Sequence, residues 1–254
     1  MSKREDCRQC LNRPRCVMGK VEDTDLDQVR SGLLYQSRLA PGDVLIYPGM
    51  SFERLYLVRY GYLKTLLLAS EGQCHTTGLH GHGDVLGLDG LDGGVHACEV
   101  VAVQHASVCV FRFDQLSELS GRIPALQRAL LMEVSRSMQR DWHQMLLLGC
   151  LDGEERVASF LLMLLQRQHP TSSATMSLDL MMTRQEIGSY LGMTLESVSR
   201  HLSHFQKRGW IRLGRRRVDI VQREALENRR DCRVPLPMPT QRRMGLSEQI
   251  CWGK

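Results

Sequence analysis

The chain has 254 residues, of which 43% are hydrophobic and 24% charged, and its formal net charge is +5. This composition excludes an intrinsically disordered protein, and the length is sufficient for two modest domains. Lysines and arginines are concentrated after residue 184, which indicates a nucleic-acid-binding surface in the C-terminal half.

The first predicted element is a cysteine loop over residues 1–20, in which Cys7, Cys10 and Cys16 follow a C-x2-C-x5-C spacing. The opening MSKREDC lacks the apolar segment of a secretory signal, and the apolar run MLLLGCL is too short to span a bilayer. We therefore expect a cytoplasmic protein without a membrane segment. Because the cytoplasm keeps thiols reduced, the clustered thiols favour metal or redox chemistry over structural disulfides.

Residues 21–120 contain short runs of strand-forming residues separated by glycine-containing turns. Examples are LAPGDVLIYPGM, RLYLVRYGYLKTLLLA and EVVAVQHASVCVFRF. Short alternating runs of this kind are typical of antiparallel sheets. The segment is predicted to form a β-roll of the jelly-roll type.

A long dimerisation helix is predicted over residues 121–150, because no further Gly or Pro occurs between Pro124 and Gly149. Pro124 suits the first helical turn, and Gly149 suits its end. An unbroken 3-4 spacing over this helix predicts a coiled-coil seam. The seam positions are Leu131, Val134, Met138, Asp141, Met145 and Leu148.

Asp141 is the one charged residue of this seam. In a symmetric parallel dimer it would face its own copy. Two ionised carboxylates about 4 Å apart repel by about 4 kcal/mol at an effective dielectric constant near 20. Alternatively, the seam is slightly rotated and Asp141 is simply exposed to solvent.

Residues 151–227 are predicted to form a winged helix-turn-helix domain. A helix is expected over Glu154–Gln168, and Thr183 with Glu186 forms a capping box at the start of another. Gly192 ends that helix, and TLESVSRHLSHFQKRG begins the next. The strands GWIRL and RVDIV flank GRRR and resemble a wing hairpin.

The last segment, residues 228–254, combines basic residues with Pro235, Pro237 and Pro239. This composition predicts a loosely ordered tail. The predicted fold class is therefore α+β, with an N-terminal β-roll, a long dimerisation helix and a C-terminal winged helix-turn-helix.

Three polar residues near the start of the second helix of the motif suit base reading in the major groove: Glu196, Ser199 and Arg200. A glutamate can accept from the amino group of cytosine, and an arginine can bridge guanine O6 and N7. Basic residues suited to phosphate contacts are Arg184, Lys207, Arg215, Arg216 and Arg217. The alternative is a solvated charged helix in an ordinary helical domain.

The segment TRQEIGSYLGMTLESVSRHLSHFQKRG resembles the helix-turn-helix of the CRP/FNR family of bacterial transcription regulators. Within it, Glu196, Ser199 and Arg200 resemble the E-x-x-S-R triplet of the FNR branch. The resemblance implies a β-roll like a cyclic-nucleotide-binding domain. It also implies a homodimer on an inverted repeat of the TTGAT type, with half-sites roughly 34 Å apart. An activator of this family would contact RNA polymerase, through loops such as 69–74 and 169–175.

Cyclic-nucleotide-binding members of the family hold the cyclic phosphate with an Arg-Ser pair. The corresponding segment here, GDVLGLDGLDGGVHACEV, contains no arginine, and its charged residues include Asp89, Asp92 and Glu99. A phosphate would meet carboxylates without a cation to offset them. We therefore expect no cyclic nucleotide as effector.

A 4Fe–4S cluster takes four thiolates, one more than the N-terminal loop provides. The segment ASVCVFRF resembles the one that carries the distant ligand in oxygen-sensing FNR proteins, which implies Cys109 as the fourth, with Cys98 as the alternative. The resemblance implies that the cluster stabilises the DNA-binding dimer and that oxygen destroys it and releases DNA. It further implies that Met138 and Met145 pack at the seam, where Asp141 is an inhibitory acid.

Basic residues around the loop are expected to offset the negative charge of such a cluster and to favour thiolates: Arg4, Arg8, Arg13, Arg15 and Lys20. Alternatives are free cysteines, or a regulator of the same DNA-binding fold that senses through zinc, haem or disulfide chemistry. A small iron–sulfur redox enzyme is a further alternative. We expect no enzyme, because the sequence contains no GxSxG, GxGxxG, P-loop or HExxH motif.

Overall fold

The computed structural model of the chain describes residues 7–10, 12–68, 74–169 and 176–229. It confirms the predicted fold class and the order of β-roll, long helix and winged helix-turn-helix. None of the helices in these ranges combines the length and the apolar character that a membrane crossing requires.

The N-terminal loop consists of two short 3₁₀ helices, over Cys7–Gln9 and Val17–Lys20, and leads into α1 (Asp23–Ser31). The prediction of β-structure from residue 21 is therefore wrong at its start. Helix α1 forms because Leu26 and Val29, three residues apart, are both buried. Acidic side chains in its first turn also favour the helix by opposing the positive end of its dipole.

The β-roll consists of two four-stranded sheets whose paired strands are antiparallel. Their strands are β1 (Leu33–Leu39), β2 (Val44–Ile46), β3 (Arg54–Tyr60), β4 (Leu63–Leu68), β5 (Cys74–His80), β6 (Val85–Leu86), β7 (Glu99–Ala102) and β8 (Ala106–Arg112). One sheet has the order β1-β8-β3-β6 and the other β2-β7-β4-β5. Ile46, Leu63 and Val108 belong to the core that these strands bury. A short helix, α2 (Gly90–Gly93), lies between β6 and β7.

Two helices follow the β-roll, α3 (Phe113–Arg122) and α4 (Pro124–Cys150). Helix α3 was not predicted, and it follows β8 within the segment assigned to the β-roll domain. The expected start of the long helix at Pro124 is confirmed. The helix ends at Cys150, one residue after Gly149 and at the predicted bound, and the Cys150 side chain is exposed.

The C-terminal part contains the predicted winged helix-turn-helix. Its elements are α5 (Gly153–Gln168), β9 (Ser177–Asp179), α6 (Arg184–Leu191), α7 (Leu195–Lys207), β10 (Ile211–Leu213), β11 (Arg217–Ile220) and α8 (Arg223–Arg229). Strand β9 was not predicted, and it completes a sheet of order β10-β11-β9. Residues 228 and 229, which the sequence prediction assigned to the tail, belong to α8. The Arg229 guanidinium pairs with Asp152 and Glu154. Residues 230–254 of that predicted tail lie outside the described residues.

The start and the turn of the helix-turn-helix are as the sequence predicted. Thr183 and Glu186 form the capping box at the start of α6. Gly192 follows α6 with φ of 62°, a left-handed conformation that favours glycine. A Cβ on Gly188 would lie 2.6 Å from the carbonyl oxygen of Met193, so only glycine allows the chain to pass this close to α6.

We expect Gly188→Ala to lower the free energy of unfolding by about 1–3 kcal/mol, because the added methyl overlaps main-chain atoms that cannot move without opening the turn. Chemical denaturation measures this change. Gly121→Ala is the control, because apart from its chain neighbours and the backbone of α3 no atom lies within 4 Å of its Cβ position. It should leave stability unchanged or raise it by up to about 1 kcal/mol. Equal effects of the two substitutions would contradict the steric argument.

Candidate cysteine site, dimer face and nucleic-acid interface

Four cysteines from two distant parts of the chain line one pocket. Cys7, Cys10 and Cys16 come from the N-terminal loop, and Cys109 comes from the middle of β8. The walls of the pocket include the apolar side chains Met18, Leu57 and Phe111.

The N-terminal loop shares a hydrophobic core with the start of the long helix. Val17 and Met18, directly after Cys16, are buried together with Leu126 and Ala129 of α4. Cys7, Cys16 and Cys109 pack against the same core. A change in the position of the loop would therefore change the packing under the first turns of α4.

Burial raises the pKa of Cys16 to about 12, although a hydrogen bond with the backbone of Met18 opposes the change. The neighbouring thiols of Cys109, Cys7 and Cys10 raise it further. Burial likewise raises the pKa of Cys109 to about 11. In the absence of a metal, burial therefore favours the thiol forms of these two cysteines. The expectation that the basic residues around the loop favour thiolates stays a prediction.

Two basic residues of the loop, Arg8 and Arg13, are engaged elsewhere, and Arg4 lies outside the described residues. Arg8 donates to the carboxylate of Asp27, and Arg13 to that of Asp23, so both guanidinium groups fix the loop to α1. The cation that does lower the pKa of Cys109 is Arg59 of β3, which also lines the pocket. Arg59 was not predicted from the sequence, because only the pairing of β3 with β8 brings it to the pocket.

Cys98, the alternative fourth ligand, lies in a different core and does not line the pocket. Its thiol donates to Asp89 at 3.2 Å. Burial, together with this carboxylate, raises the pKa of Cys98 to about 12. Cys74 is exposed at the start of β5. Of the cysteines in the described ranges, Cys109 is the one placed beside the N-terminal three.

The donor set of the pocket suits an iron–sulfur cluster, because such clusters take four cysteine thiolates. Among the described residues, no group of three or more His, Cys, Asp or Glu side chains is placed to hold a single metal ion. Binding of a cluster would require the thiols to lose their protons.

The segment between β6 and β7 contains an internal anion. The Asp89 carboxylate accepts from His96 Nδ1 at 3.1 Å, from the Ala97 backbone amide at 3.0 Å and from the Cys98 thiol. An anionic ligand entering this segment would compete with Asp89 for these donors. The sequence predicted that carboxylates would repel a phosphate here. In the structure, the Asp89 carboxylate also occupies hydrogen-bond donors that a phosphate would need.

One face of α4 carries exposed apolar side chains. Leu131, Met138 and Met145 are 65%, 47% and 67% exposed, and none of the six predicted seam positions is buried in the protomer. Asp141 is exposed on the same helix, and partial burial raises the pKa of its carboxyl while Arg140 opposes the change. Trp142, which the sequence analysis did not single out, is 56% exposed beside Asp141.

The other face of α4 is held against the β-roll by buried charges. Glu133 is 2% exposed and accepts from Arg136 and Arg140. Arg140 also donates to Asp84, in the turn before β6. Asp84 in turn pairs with Arg167 of α5. These ion pairs connect the β-roll, the long helix and the DNA-binding part.

The second helix of the helix-turn-helix presents the predicted base-reading residues. Glu196 and Arg200 are exposed in the first two turns of α7, and Ser199 is partly exposed. Three apolar side chains of α7 are buried on the other side and anchor the helix: Val198, Leu202 and Phe205. Four predicted phosphate contacts are also exposed: Lys207, Arg215, Arg216 and Arg217.

Arg184, the fifth predicted phosphate contact, is placed differently. It is half-buried, and its Nη1 atom is buried without a hydrogen-bond partner in the described part of the chain. Burial lowers the pKa of this guanidinium. The helix-turn-helix is also attached to the β-roll, because Lys64 of β4 pairs with Glu186, and the Thr76 amide donates to Ser189 Oγ.

Two family models match the chain. Residues 155–229 match the Crp-like helix-turn-helix domain, and residues 36–122 match the cyclic nucleotide-binding domain. The transcriptional regulatory protein btr of Bordetella pertussis is 33% identical over 87% of this chain and 91% of its own. The fumarate and nitrate reduction regulatory protein of Escherichia coli is 30% identical over 87% of this chain and 88% of its own. The chain belongs to the CRP/FNR family of transcription regulators.

The structure of FixK2 from Bradyrhizobium japonicum is also similar, with a TM-score of 0.70 and 30% identity over 76% of this chain and 96% of that one. The CRP/FNR regulator is thus a DNA-binding protein that acts as a dimer, and not an enzyme, as the sequence predicted. The sequence predicted that loops 69–74 and 169–175 contact RNA polymerase. Of these, residues 69–73 and 170–175 lie outside the described residues.

For this CRP/FNR regulator we expect different effects from base-reading and phosphate-contacting residues. Arg200→Ala should cost about 1–3 kcal/mol of DNA-binding free energy and relax the preference at one base pair. Lys207→Ala should weaken binding to all sequences alike and reduce the slope of log affinity against log salt by about 1. Titrations with single-base variants of the DNA site, at several salt concentrations, measure both. A uniform loss for Arg200→Ala would remove it from base reading.

Proposed function

We propose that this regulator senses oxygen through a 4Fe–4S cluster held by Cys7, Cys10, Cys16 and Cys109. The observation that carries the proposal is that these four cysteines, and no other described cysteine, line one pocket. When bound, the cluster would supply an oxygen-labile link between the N-terminal loop and β8. The N-terminal loop, α4 and Asp141 would transmit the state of the cluster to the dimer.

The loop acts on the dimer through the core that it shares with α4. While the loop is held, Val17 and Met18 remain packed against Leu126 and Ala129, and the start of α4 is fixed. Further along the helix, Met138 and Met145 pack against the partner and shield Asp141. When the loop is released, this support is lost and the two Asp141 carboxylates drive the helices apart.

Separation of the protomers abolishes tight DNA binding, because each monomer reads only half of the site. The site is an inverted repeat of the TTGAT type, and Glu196, Ser199 and Arg200 of each protomer read one half-site. The bound dimer activates transcription by contact with RNA polymerase. The exposure of Glu196 and Arg200 at the start of α7 supports this assignment.

Purification of the full chain without air tests the proposal. We expect a brown protein with a broad visible absorption band, and about four irons and four acid-labile sulfides per chain. Admission of air should bleach the band, convert the dimer to a monomer and abolish binding to the inverted repeat.

Three results would overturn the proposal. A colourless protein that contains zinc would make the pocket a zinc site. A metal-free protein whose DNA affinity changes only with disulfide formation would make it a thiol sensor. A coloured protein that does not bind the inverted repeat without air would separate the cluster from the binding of this DNA site.

A further inference from the structure

The guanidinium group of Arg156 binds main-chain carbonyls at the end of the long dimerisation helix, α4, and in the helix-turn-helix. Arg156, in the first turn of α5, donates through Nη2 to the Leu148 carbonyl at 2.7 Å and through Nε to the Leu151 carbonyl at 3.0 Å. Through Nη1 it donates to the Leu191 carbonyl at 3.0 Å, with the Gly192 carbonyl at 3.5 Å. One side chain therefore joins the last turn of α4 to the turn that precedes the recognition helix α7.

The chemistry of these acceptors explains why an arginine is needed. The last carbonyls of a helix have no partner within it, and they carry the negative end of the helix dipole. Leu148 lies at the end of α4 and Leu191 at the end of α6. A planar guanidinium can satisfy both at a fixed relative orientation, whereas a lysine ammonium is a flexible point charge.

Two further contacts join α4 to the same turn. Gln144 Nε2 donates to the Tyr190 carbonyl, and Leu148 Cδ2 lies 3.1 Å from the position that a Cβ of Gly192 would take. The last two turns of α4 thus contact the end of α6 on both sides of Arg156. The junction is a packed contact rather than a flexible link.

We propose that Arg156 is a positioning residue that fixes the angle between the dimer helix and the recognition helix. In a two-fold symmetric dimer, a change in this angle occurs in both protomers and therefore changes the distance between the two recognition helices. That distance sets the half-site spacing that both helices can bind at once. Arg156 then determines spacing specificity, whereas Glu196, Ser199 and Arg200 determine base specificity. This inference rests on the family's dimeric DNA binding and not on what the cysteine pocket holds.

Selection of DNA sites from a random library tests the inference on the full-length dimer, under whichever atmosphere gives the wild type its tighter DNA binding. The variants are Arg156→Gln and Arg156→Lys. The control is Arg223→Gln on α8, which removes an exposed guanidinium that pairs with Glu227. We expect both Arg156 variants to select the wild-type half-site but with a broader range of spacings. On the wild-type spacing they should lose about tenfold or more in affinity.

Thermal unfolding and sedimentation of each variant accompany the selection, and Arg156→Lys remains informative if Arg156→Gln does not fold. A folded, dimeric Arg156 variant with the wild-type spacing preference would overturn the inference, whatever its affinity. A changed half-site sequence would also overturn it, because Arg156 would then act on the recognition helix itself. Arg223→Gln should match the wild type, and a broadened spacing in this control would equally count against a specific role of Arg156.

Discussion

Asp141→Ala is expected to give a protein that is dimeric and binds its DNA site in air. Asp141 is exposed on the helix face that presents Met138 and Met145, so a partner helix packed there would bring two carboxylates together. At about 4 Å they repel by about 4 kcal/mol at an effective dielectric constant near 20. Solvent and the neighbouring Arg140 reduce this value. Each 1.4 kcal/mol that remains weakens the dimer by about tenfold.

Sedimentation equilibrium and DNA titration, each with and without air, measure this effect. Gln139→Ala is the matched control, because Gln139 is an exposed neighbour that is uncharged and lies off the predicted seam. The control should remain monomeric in air, like the wild type. If Asp141→Ala is also monomeric in air, Asp141 has no part in the switch.

The same repulsion has a defined dependence on pH. Because the pKa of Asp141 is raised, its carboxyl becomes neutral at a higher pH than an ordinary aspartate. The repulsion is fully present above that pKa and is lost as the pH falls through it. The weak association of wild-type monomers in air should therefore become stronger as the pH is lowered, and Asp141→Ala should remove this dependence.

The DNA-binding half of the fold was predictable from sequence because its signals are local. The Thr183 and Glu186 capping box, the Gly192 turn and the basic wing each act within a few residues, and the structure contains all of them. Helices α1 and α3 were missed because they are short and lie next to strand-forming segments. Their apolar residues become buried only when the β-roll supplies the surface that covers them.

The sites themselves depend on contacts between distant segments. The sequence left Cys98 and Cys109 as alternatives, and only the position of β8 beside the N-terminal loop distinguishes them. Arg59 reaches Cys109 across a strand pair, which no local pattern predicts. Arg156 binds main-chain carbonyls, and because every residue has one, the sequence does not indicate which carbonyls Arg156 contacts.

Cys109→Ser is expected to abolish incorporation of the iron–sulfur cluster without air, because three thiolates do not complete its ligand set. Cys98→Ser is the matched control. Cys98 lies only 11 residues earlier in the chain but donates to Asp89 in a separate core, so the control should retain iron, sulfide and colour. The measurements are iron and sulfide content and the visible spectrum. The reverse result, colour lost in Cys98→Ser and kept in Cys109→Ser, would exchange their roles.

The double variant Cys109→Ser with Asp141→Ala determines the order of the two parts of the switch. If the cluster acts only by holding the loop under α4, and Asp141 supplies the force that separates the protomers, removal of that force makes the cluster dispensable. We therefore expect the double variant to lack iron and still to dimerise and bind DNA in either atmosphere. If the double variant is instead monomeric, the loop contributes directly to dimer packing through Val17, Met18 and the start of α4, and the acid alone does not drive dissociation.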